Sequence, residues 1–172
     1  MYKLEDLDRR YRLLRPSIAV LDLGCRPGSW LQYASQRVGR RGSVVGLDRH
    51  PLEAPIPEGV RIVLGDVYDV SADGLRGDLP GFDVVLSDMA PDTTGIKVTD
   101  QARSEALAER ALELAQQLLV AGGHVVIKVF QGPGLAALRD RARRMFQKVD
   151  LAKPPASRRH SSEIYLVGLG RR

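Results

Sequence analysis

Lys128 is the residue least suited to its neighbours. It stands inside Val125-Val126-Ile127-Lys128-Val129-Phe130, an otherwise apolar run of strand-like composition. A lysine in such a place must pair with an acid, snorkel to solvent or give up its proton, and burial disfavours the charged amine, which fits lysine for proton transfer. Asp88, in Leu86-Ser87-Asp88-Met89-Ala90-Pro91 at the end of another apolar run, is the natural partner. An ion pair that serves structure alone is the plain alternative.

A second group of residues suits a nucleoside ligand. Val20-Leu21-Asp22-Leu23 leads into Gly24-Cys25-Arg26-Pro27-Gly28-Ser29-Trp30, a strand followed by a glycine-bearing turn and a helix start, where a ligand can approach the backbone closely. Asp48, 24 positions past Gly24, ends the next apolar run and can accept hydrogen bonds from a ribose diol. Asp66, in Leu64-Gly65-Asp66-Val67, can accept from an adenine amino group. Each acid alone reads as a turn or cap residue; acids at successive strand ends after a glycine turn point to an adenosine cofactor. Arg26 breaks the Gly-x-Gly-x-x-Gly pattern of dinucleotide enzymes, and no Walker A motif is present. Cys25 lies in the cofactor turn without the motif of a pyrimidine C5 methylase, so a nucleophilic role is not expected of it.

Elements that could position these groups follow from periodicity. Residues 20–23, 44–47, 62–64, 84–86 and 125–129 are short, nearly continuous apolar runs, the form of strands buried on both faces of a parallel sheet. Helices are expected over about 29–38, 99–120 and 135–146, with Gly122-Gly123 stopping the second. Residues 73–81 and 153–162 read as loops. Strand and helix alternation predicts an α/β domain with a mainly parallel sheet and its ligands at the carboxyl ends of the strands.

At 172 residues the chain is expected to be one domain, and no apolar run approaches a membrane span. One cysteine excludes an internal disulfide, three scattered histidines write no zinc site, and no secretory signal opens the chain, so a reducing, cytoplasmic setting is expected and no metal. Charge is unevenly spread. Residues 9–49 carry nine arginines against Asp22 and Asp48, a net +7; residues 139–172 net +7 as well, and residues 50–138 net −7. Such blocks suit a polyanion, with nucleic acid first. Arg9, Arg10, Arg12 and Arg15, with Arg139 to Arg144, Arg158 and Arg159, are expected to form one positive surface beside the Lys128 site. Aromatic residues are only 5% of the chain, so phosphate and shape should outweigh base stacking.

These motifs, in this order, resemble the FtsJ/RlmE family of AdoMet-dependent ribose 2′-O-methyltransferases over nearly the whole chain. Tyr2-Lys3-Leu4 is similar to the family's Phe-Lys-Leu, and Asp22 to Trp30 to its Asp-Leu-Gly-Ala-Ala-Pro-Gly-Gly-Trp. Ser87 to Pro91 matches its Ser-Asp-Met-Ala-Pro, and Lys128 to Gly132 its Lys-Val-Phe-Gln-Gly. Lys153-Pro154, Ser157-Arg158, Ser161, Glu163 and Tyr165 fit its carboxyl-terminal motif. The resemblance implies a Rossmann-like class I methyltransferase with a mainly parallel seven-stranded sheet, helices on both faces, a short N-terminal helix over about 3–14 and no separate RNA-binding domain. It implies a catalytic tetrad of Lys3, Asp88, Lys128 and Glu163. S-adenosyl-L-methionine would be held by Gly24, Gly28, Ser29, Trp30, Asp48, Asp66 and Asp88. Lys128 is then the expected acceptor of the 2′-hydroxyl proton, with Lys3 nearby and Asp88 and Glu163 orienting the two amines. The implied substrate is a uridine in the A-loop of large-subunit ribosomal RNA on the assembled subunit, with the protein a monomer. A tRNA ribose, an AdoMet-binding ribosome-assembly factor and a Rossmann-type dehydrogenase are the alternatives.

Three departures from the family pattern carry expectations of their own. The chain begins at Met1-Tyr2-Lys3 without the family's preceding basic segment, which leaves Lys3 open to fraying. Cys25-Arg26 replaces Ala-Ala, and the Arg26 side chain is expected to turn outward, away from a cationic sulfonium. Asp92 stands where the family often has Asn, adding a charge at the rim of the site.

Overall fold

The computed structural model describes residues 2–53, 55–155 and 161–172. Along the chain come α1 (Tyr2–Tyr11), β1 (Ala19–Leu23), α2 (Ser29–Val38), β2 (Ser43–Asp48), β3 (Val60–Leu64) and α3 (Ala72–Arg76). There follow β4 (Phe82–Ser87), α4 (Lys97–Leu118), β5 (Leu119–Phe130), α5 (Leu135–Met145), β6 (Phe146–Ala152) and β7 (Glu163–Arg171). The strands form one seven-stranded sheet in the order β3-β2-β1-β4-β5-β7-β6. All pairs are parallel except those of β7, which runs antiparallel to β5 and β6. The chain winds outward from β1 to β3 and then returns to β4 on the other side of β1. That reversal opens a crevice at the carboxyl ends of β1 and β4, where ligands of such sheets bind.

The period-2 alternation of strands sorts the side chains onto two faces. Leu21, Leu23, Val85, Val125, Ile127 and Leu166 bury one face under α3, α4 and α5. Val20, Val84, Leu86, Val126, Tyr165 and Val167 bury the other under α1 and α2. Lys128 alternates with Ile127 and Val129, so it belongs to the α1 side, and so does Tyr165, its register partner on β7.

Four local expectations are corrected. Helix α4 ends at Leu118, not near Val120, because Leu119 already pairs with Phe82 as the first residue of β5. Gly122 (φ +79) and Gly123 serve the register shift that follows, where a Cβ at Gly123 would stand 3.0 Å from the Asp83 carbonyl. Residues 73–81 include part of α3, capped by the Ser71 hydroxyl accepting from Gly74 N–H (3.0 Å) and anchored by buried Leu75. Strand β3 is an edge strand with Arg61 and Leu64 exposed, not a strand buried on both faces. The N-terminal helix stops at Tyr11, and Arg12 takes a left-handed φ of 54.

Candidate functional site

Helix α1 brings Lys3 to the sheet. Leu4 and Leu7 bury its apolar stripe, and Asp8, 3% exposed, ties it down. The Asp8 carboxylate accepts from Leu14 N–H (2.8 Å), the Tyr33 hydroxyl (2.9 Å) and Arg37 Nε (3.1 Å), the last two on α2. Lys3 is therefore helical and docked rather than frayed, and its Nζ donates to Glu163 Oε2 at 2.7 Å. Lys128 Nζ donates to the Asp88 carbonyl (2.7 Å) and lies 3.3 Å from Asp88 Oδ1 and 3.8 Å from Glu163 Oε1. Its side chain is 6% exposed. Lys3, Glu163, Lys128 and Asp88 thus form a continuous chain of contacts at the carboxyl ends of β4 and β5.

Electrostatics follow from this pairing. Burial on its own would raise the Glu163 carboxyl, but the Lys3 hydrogen bond, the charges of Lys128 and Lys3 and the Ser161 hydrogen bond hold it below its ordinary value. The Tyr165 hydroxyl donates to Asp88 Oδ1 at 2.7 Å, and burial, then the charge and hydrogen bond of Asp88, push the phenol upward, so it stays a donor. Tyr165 was absent from the expected site. Its only sequence signal is its place in the carboxyl-terminal motif; register does the rest, because Tyr165 lies opposite Lys128 across β5 and β7.

Beside this cluster lies a cavity of about 580 Å³, within the size range of about 300–1,000 Å³ common for small-ligand sites. Gly24, Asp48, Asp66, Asp88, Met89 and Tyr68 are among its lining residues. Gly24 (φ +73) admits close approach of the two walls, since a Cβ there would meet Met89 Cγ at 2.6 Å. Asp48 accepts from the backbone N–H groups of Arg26 and His50, both at 3.0 Å, and Asp66 accepts from Tyr68 N–H at 3.0 Å. Both carboxylates are aimed by the backbone and keep lone pairs for a ligand. Gly28, Ser29 and Trp30 instead form the start of α2, with Gly28 at φ 114. The Trp30 indole is buried against Tyr165, ring centroids 5.8 Å apart.

The rim is settled by ion pairs. Arg26 turns outward to exposed Glu53, and Asp92 stands 3.7 Å from Arg49. Cys25 is buried, and burial followed by Asp22 and Asp48 pushes its thiol up to about 12, which leaves it protonated and unfit as a nucleophile. Asp22 is fully buried, and neither carboxylate oxygen has a hydrogen-bond partner among the described residues. The lining carries Asp48, Asp66, Asp88 and Asp92 beside Arg26, Arg49 and Arg103. With Arg26 turned to Glu53 and Arg49 paired with Asp92, the backbone-aimed carboxylates of Asp48 and Asp66 and the unpartnered Asp22 behind them fit a cationic adenosine ligand, so S-adenosyl-L-methionine suits the residues present.

The single positive surface expected from both basic blocks is corrected. Arg9 and Arg10 belong to α1, on the tetrad side of the sheet, whereas Arg139 to Arg144 belong to α5, which packs on the opposite face. Arg15 pairs with Asp83 (3.7 Å) in the first part of β4, away from the carboxyl-end site. Ser157, Arg158 and Arg159 lie outside the described residues. No described helix is long and apolar enough to cross a membrane.

Comparison with known proteins agrees with this fold. The family of FtsJ-like methyltransferases matches residues 1–171. The chain is 49% identical over 170 residues to ribosomal RNA large subunit methyltransferase E of Syntrophobacter fumaroxidans, with 98% of this chain and 86% of that protein covered. It is 42% identical over 175 residues to the protein of the same name from Bdellovibrio bacteriovorus, covering 100% and 89%. A crystal structure of a ribosomal RNA methyltransferase from Plasmodium falciparum superposes with a TM-score of 0.85 at 29% identity, covering 99% of this chain and 95% of that one. The chain belongs to the FtsJ-like methyltransferase family, whose members take their methyl group from S-adenosylmethionine.

Proposed function

We propose that this protein transfers a methyl group from S-adenosyl-L-methionine to a ribose 2′-hydroxyl of large-subunit ribosomal RNA, with a uridine as the target nucleotide. In this reading residues 1–172 act as one methyltransferase domain and as a monomer, and the ribosomal substrate puts the work in the cytoplasm. The observation that carries it is Lys128, 6% exposed, held between Asp88 and Glu163 beside a cavity lined by Asp48 and Asp66. The ribosomal substrate rests on the relatives named ribosomal RNA large subunit methyltransferase E.

Asp48 would accept from the cofactor's ribose diol and Asp66 from its adenine amino group. The backbone at Gly24 and Asp88 would line the remainder, and Gly28, Ser29 and Trp30 would contribute through the start of α2. The Trp30 ring packs on Tyr165, which fixes its position at the start of α2. Once bound, the cofactor supplies a sulfonium methyl as the electrophile. A ribose hydroxyl is a weak acid, so its oxygen must lose proton density as it attacks and must be held near contact distance. Lys128 in its unprotonated form accepts that proton, and Asp88 and Glu163 stabilise the ammonium that results. Lys3 fixes Glu163 through the 2.7 Å bond, and α1 holds Lys3 in place.

The test is transfer of labelled methyl from S-adenosylmethionine to assembled large ribosomal subunits, free ribosomal RNA and tRNA, all lacking native modification. Label in alkali-resistant 2′-O-methyluridine of the large subunit is the expected result. Label in tRNA alone, or in base carbons, would overturn it. Bound cofactor without transfer to any RNA would mark an assembly factor instead.

A further inference from the structure

Asp48, Asp66, Asp88 and Asp92 line the cofactor cleft, and a fifth aspartate, Asp22, lies behind them on β1, two positions before the lining Gly24. Asp48 has two backbone N–H groups, Asp66 has one, and Asp88 has the Tyr165 hydroxyl and Lys128. Asp22 is the exception. It is 0% exposed, and neither of its oxygens has a hydrogen-bond partner among the described residues. In the sheet register it stands between Gly46 on β2 and Leu86 on β4, one without a side chain and one apolar, so neither neighbour offers a side-chain donor.

The groups that act on it are Asp88, from the segment after β4, and Asp48, from the end of β2. Cys25, in the turn after β1, feels Asp22 in return and is itself held protonated. None of these is a cation. Burial first, then Asp88 and Asp48, push Asp22 up to about 8, so near neutral pH the carboxyl of the ligand-free protein holds its proton. A positive charge arriving in the cleft opposes all three influences. S-adenosylmethionine and its demethylated product share the adenosine, the amine and the carboxylate, and differ by one positive charge at sulfur.

We propose that Asp22 reads the charge of the cleft's occupant: it keeps its proton beside the neutral sulfur of the product and releases it to solvent when the sulfonium-bearing donor enters. The inference rests on the cofactor reading above. It makes Asp22 a positioning residue for charge, one that favours donor over product increasingly as pH rises. Exchange of spent for fresh cofactor is then coupled to one proton.

Isothermal titration calorimetry of the full chain with S-adenosylmethionine and with S-adenosylhomocysteine, each in two buffers of different ionisation heat, reads the proton count directly. The donor is expected to release close to one proton per site at pH 7 and the product clearly fewer. The ratio of product Kd to donor Kd should rise about tenfold per pH unit from 6 to 7 and level off above about 8. Groups common to both ligands cancel in that ratio. Asp22→Asn should remove the slope and the excess proton release while both ligands still bind. Should that variant fail to fold, infrared difference spectra of the wild-type protein decide: a buried protonated carboxyl band disappears with donor and persists with product. Equal proton release by the two ligands, a flat ratio or an unchanged carboxyl band would overturn the proposal. Failure of both ligands to bind would instead sink the cofactor reading on which it stands.

Discussion

The cofactor cleft and the tetrad share Asp88 and adjoin one another, yet they treat carboxylates in opposite ways. In the tetrad every acid meets a lysine of the same chain, and Glu163 is held below its ordinary value. Behind the cleft Asp22 feels only other acids and is raised to about 8. The tetrad therefore carries its own counter-charges and is assembled before any substrate arrives. The carboxyl behind the cleft has no such partner, which suits a ligand that brings a positive charge. Preorganisation is useful where charge develops during reaction, and an open charge is useful where binding must be selective. Burying an acid without a partner costs stability, so its place beside the cleft marks function rather than packing.

The sharpest way to separate the two regions is Lys128→Ala. Methyl transfer should fall by about a thousandfold or more, in the range of general-base removal, whereas S-adenosylmethionine affinity, measured by calorimetry, should change by less than about threefold. Matched losses in both quantities would mean that Lys128 supports the cleft rather than the reaction.

Asp8→Ala tests what holds the tetrad together from outside it. The change strands the Leu14 N–H and the Tyr33 hydroxyl and frees Arg37, which is half exposed and regains water. A loss of about 2–3 kcal/mol is expected, from stranded buried donors. Thermal unfolding should move down by roughly 5–10 °C for a chain of this size. Arg9→Ala, which breaks only the exposed pair with Glu5, should stay within about 0.5 kcal/mol. If the two variants were equally stable, α1 would not depend on Asp8.

Much of this was legible in the sequence for a physical reason. A lysine inside an apolar strand and acids after glycine turns are costly residues, so their presence needs a cause, and Lys128, Asp88, Asp48 and Asp66 could be singled out from their neighbours alone. Strands β1 to β5 were legible from apolar runs, whereas β6, with Gln147, Lys148 and Asp150 on an edge, shows no such run. Other features depend on which strands become neighbours. Tyr165 reaches Asp88 across 77 positions of sequence, and only the β5–β7 register puts it there. Asp8 lies among arginines and reads as a surface acid until α2 is placed over it. The two basic blocks look alike in sequence, and they separate because α1, ahead of the first strand, packs on one face while α5, between β5 and β6, packs on the other. Gly122-Gly123 reads equally well as a helix stop or a bulge, and the pairing of Leu119 with Phe82 decides it.

Glu163→Gln breaks the tetrad's own neutralisation while keeping its shape. Lys3 and Lys128 then face each other without an intervening negative charge, and methyl transfer should drop about tenfold, the kinetic equivalent of one charge-assisted hydrogen bond. The same variant has a pH signature. Because the folded value of Glu163 lies below the ordinary 4.5, its contribution to stability is present above that pH and is lost as pH falls through the folded value. The stability gap between wild type and Glu163→Gln should therefore be widest near neutrality and close in acid, as read by chemical denaturation across pH 3 to 7. Asp22 has the opposite sign: a raised carboxyl stabilises the fold at low pH, and that contribution fades as pH climbs from about 4 through about 8. A gap that widened in acid would contradict the pairing seen between Glu163 and Lys3.

Tyr165→Phe is the finest cut, because it acts on the one residue the two regions share. The ring stays packed on Trp30, and only the hydroxyl donated to Asp88 Oδ1 is lost. Asp88 keeps Lys128, so its carboxylate is still partnered but freer to rotate. A hydrogen bond to a carboxylate is worth about 1.5 kcal/mol at the low end of the range for charged groups, which predicts a loss of about tenfold in methyl transfer. The split between the constants carries the information. If Tyr165 aims Asp88 at Lys128, kcat should fall with cofactor affinity unchanged, and the pH profile of kcat should shift, since the counter-charge beside Lys128 has moved. If it aims Asp88 at the cleft instead, cofactor Kd should weaken by the same factor and kcat should hold, and Asp88 would then belong to the open charge of the cleft rather than to the closed charge of the tetrad.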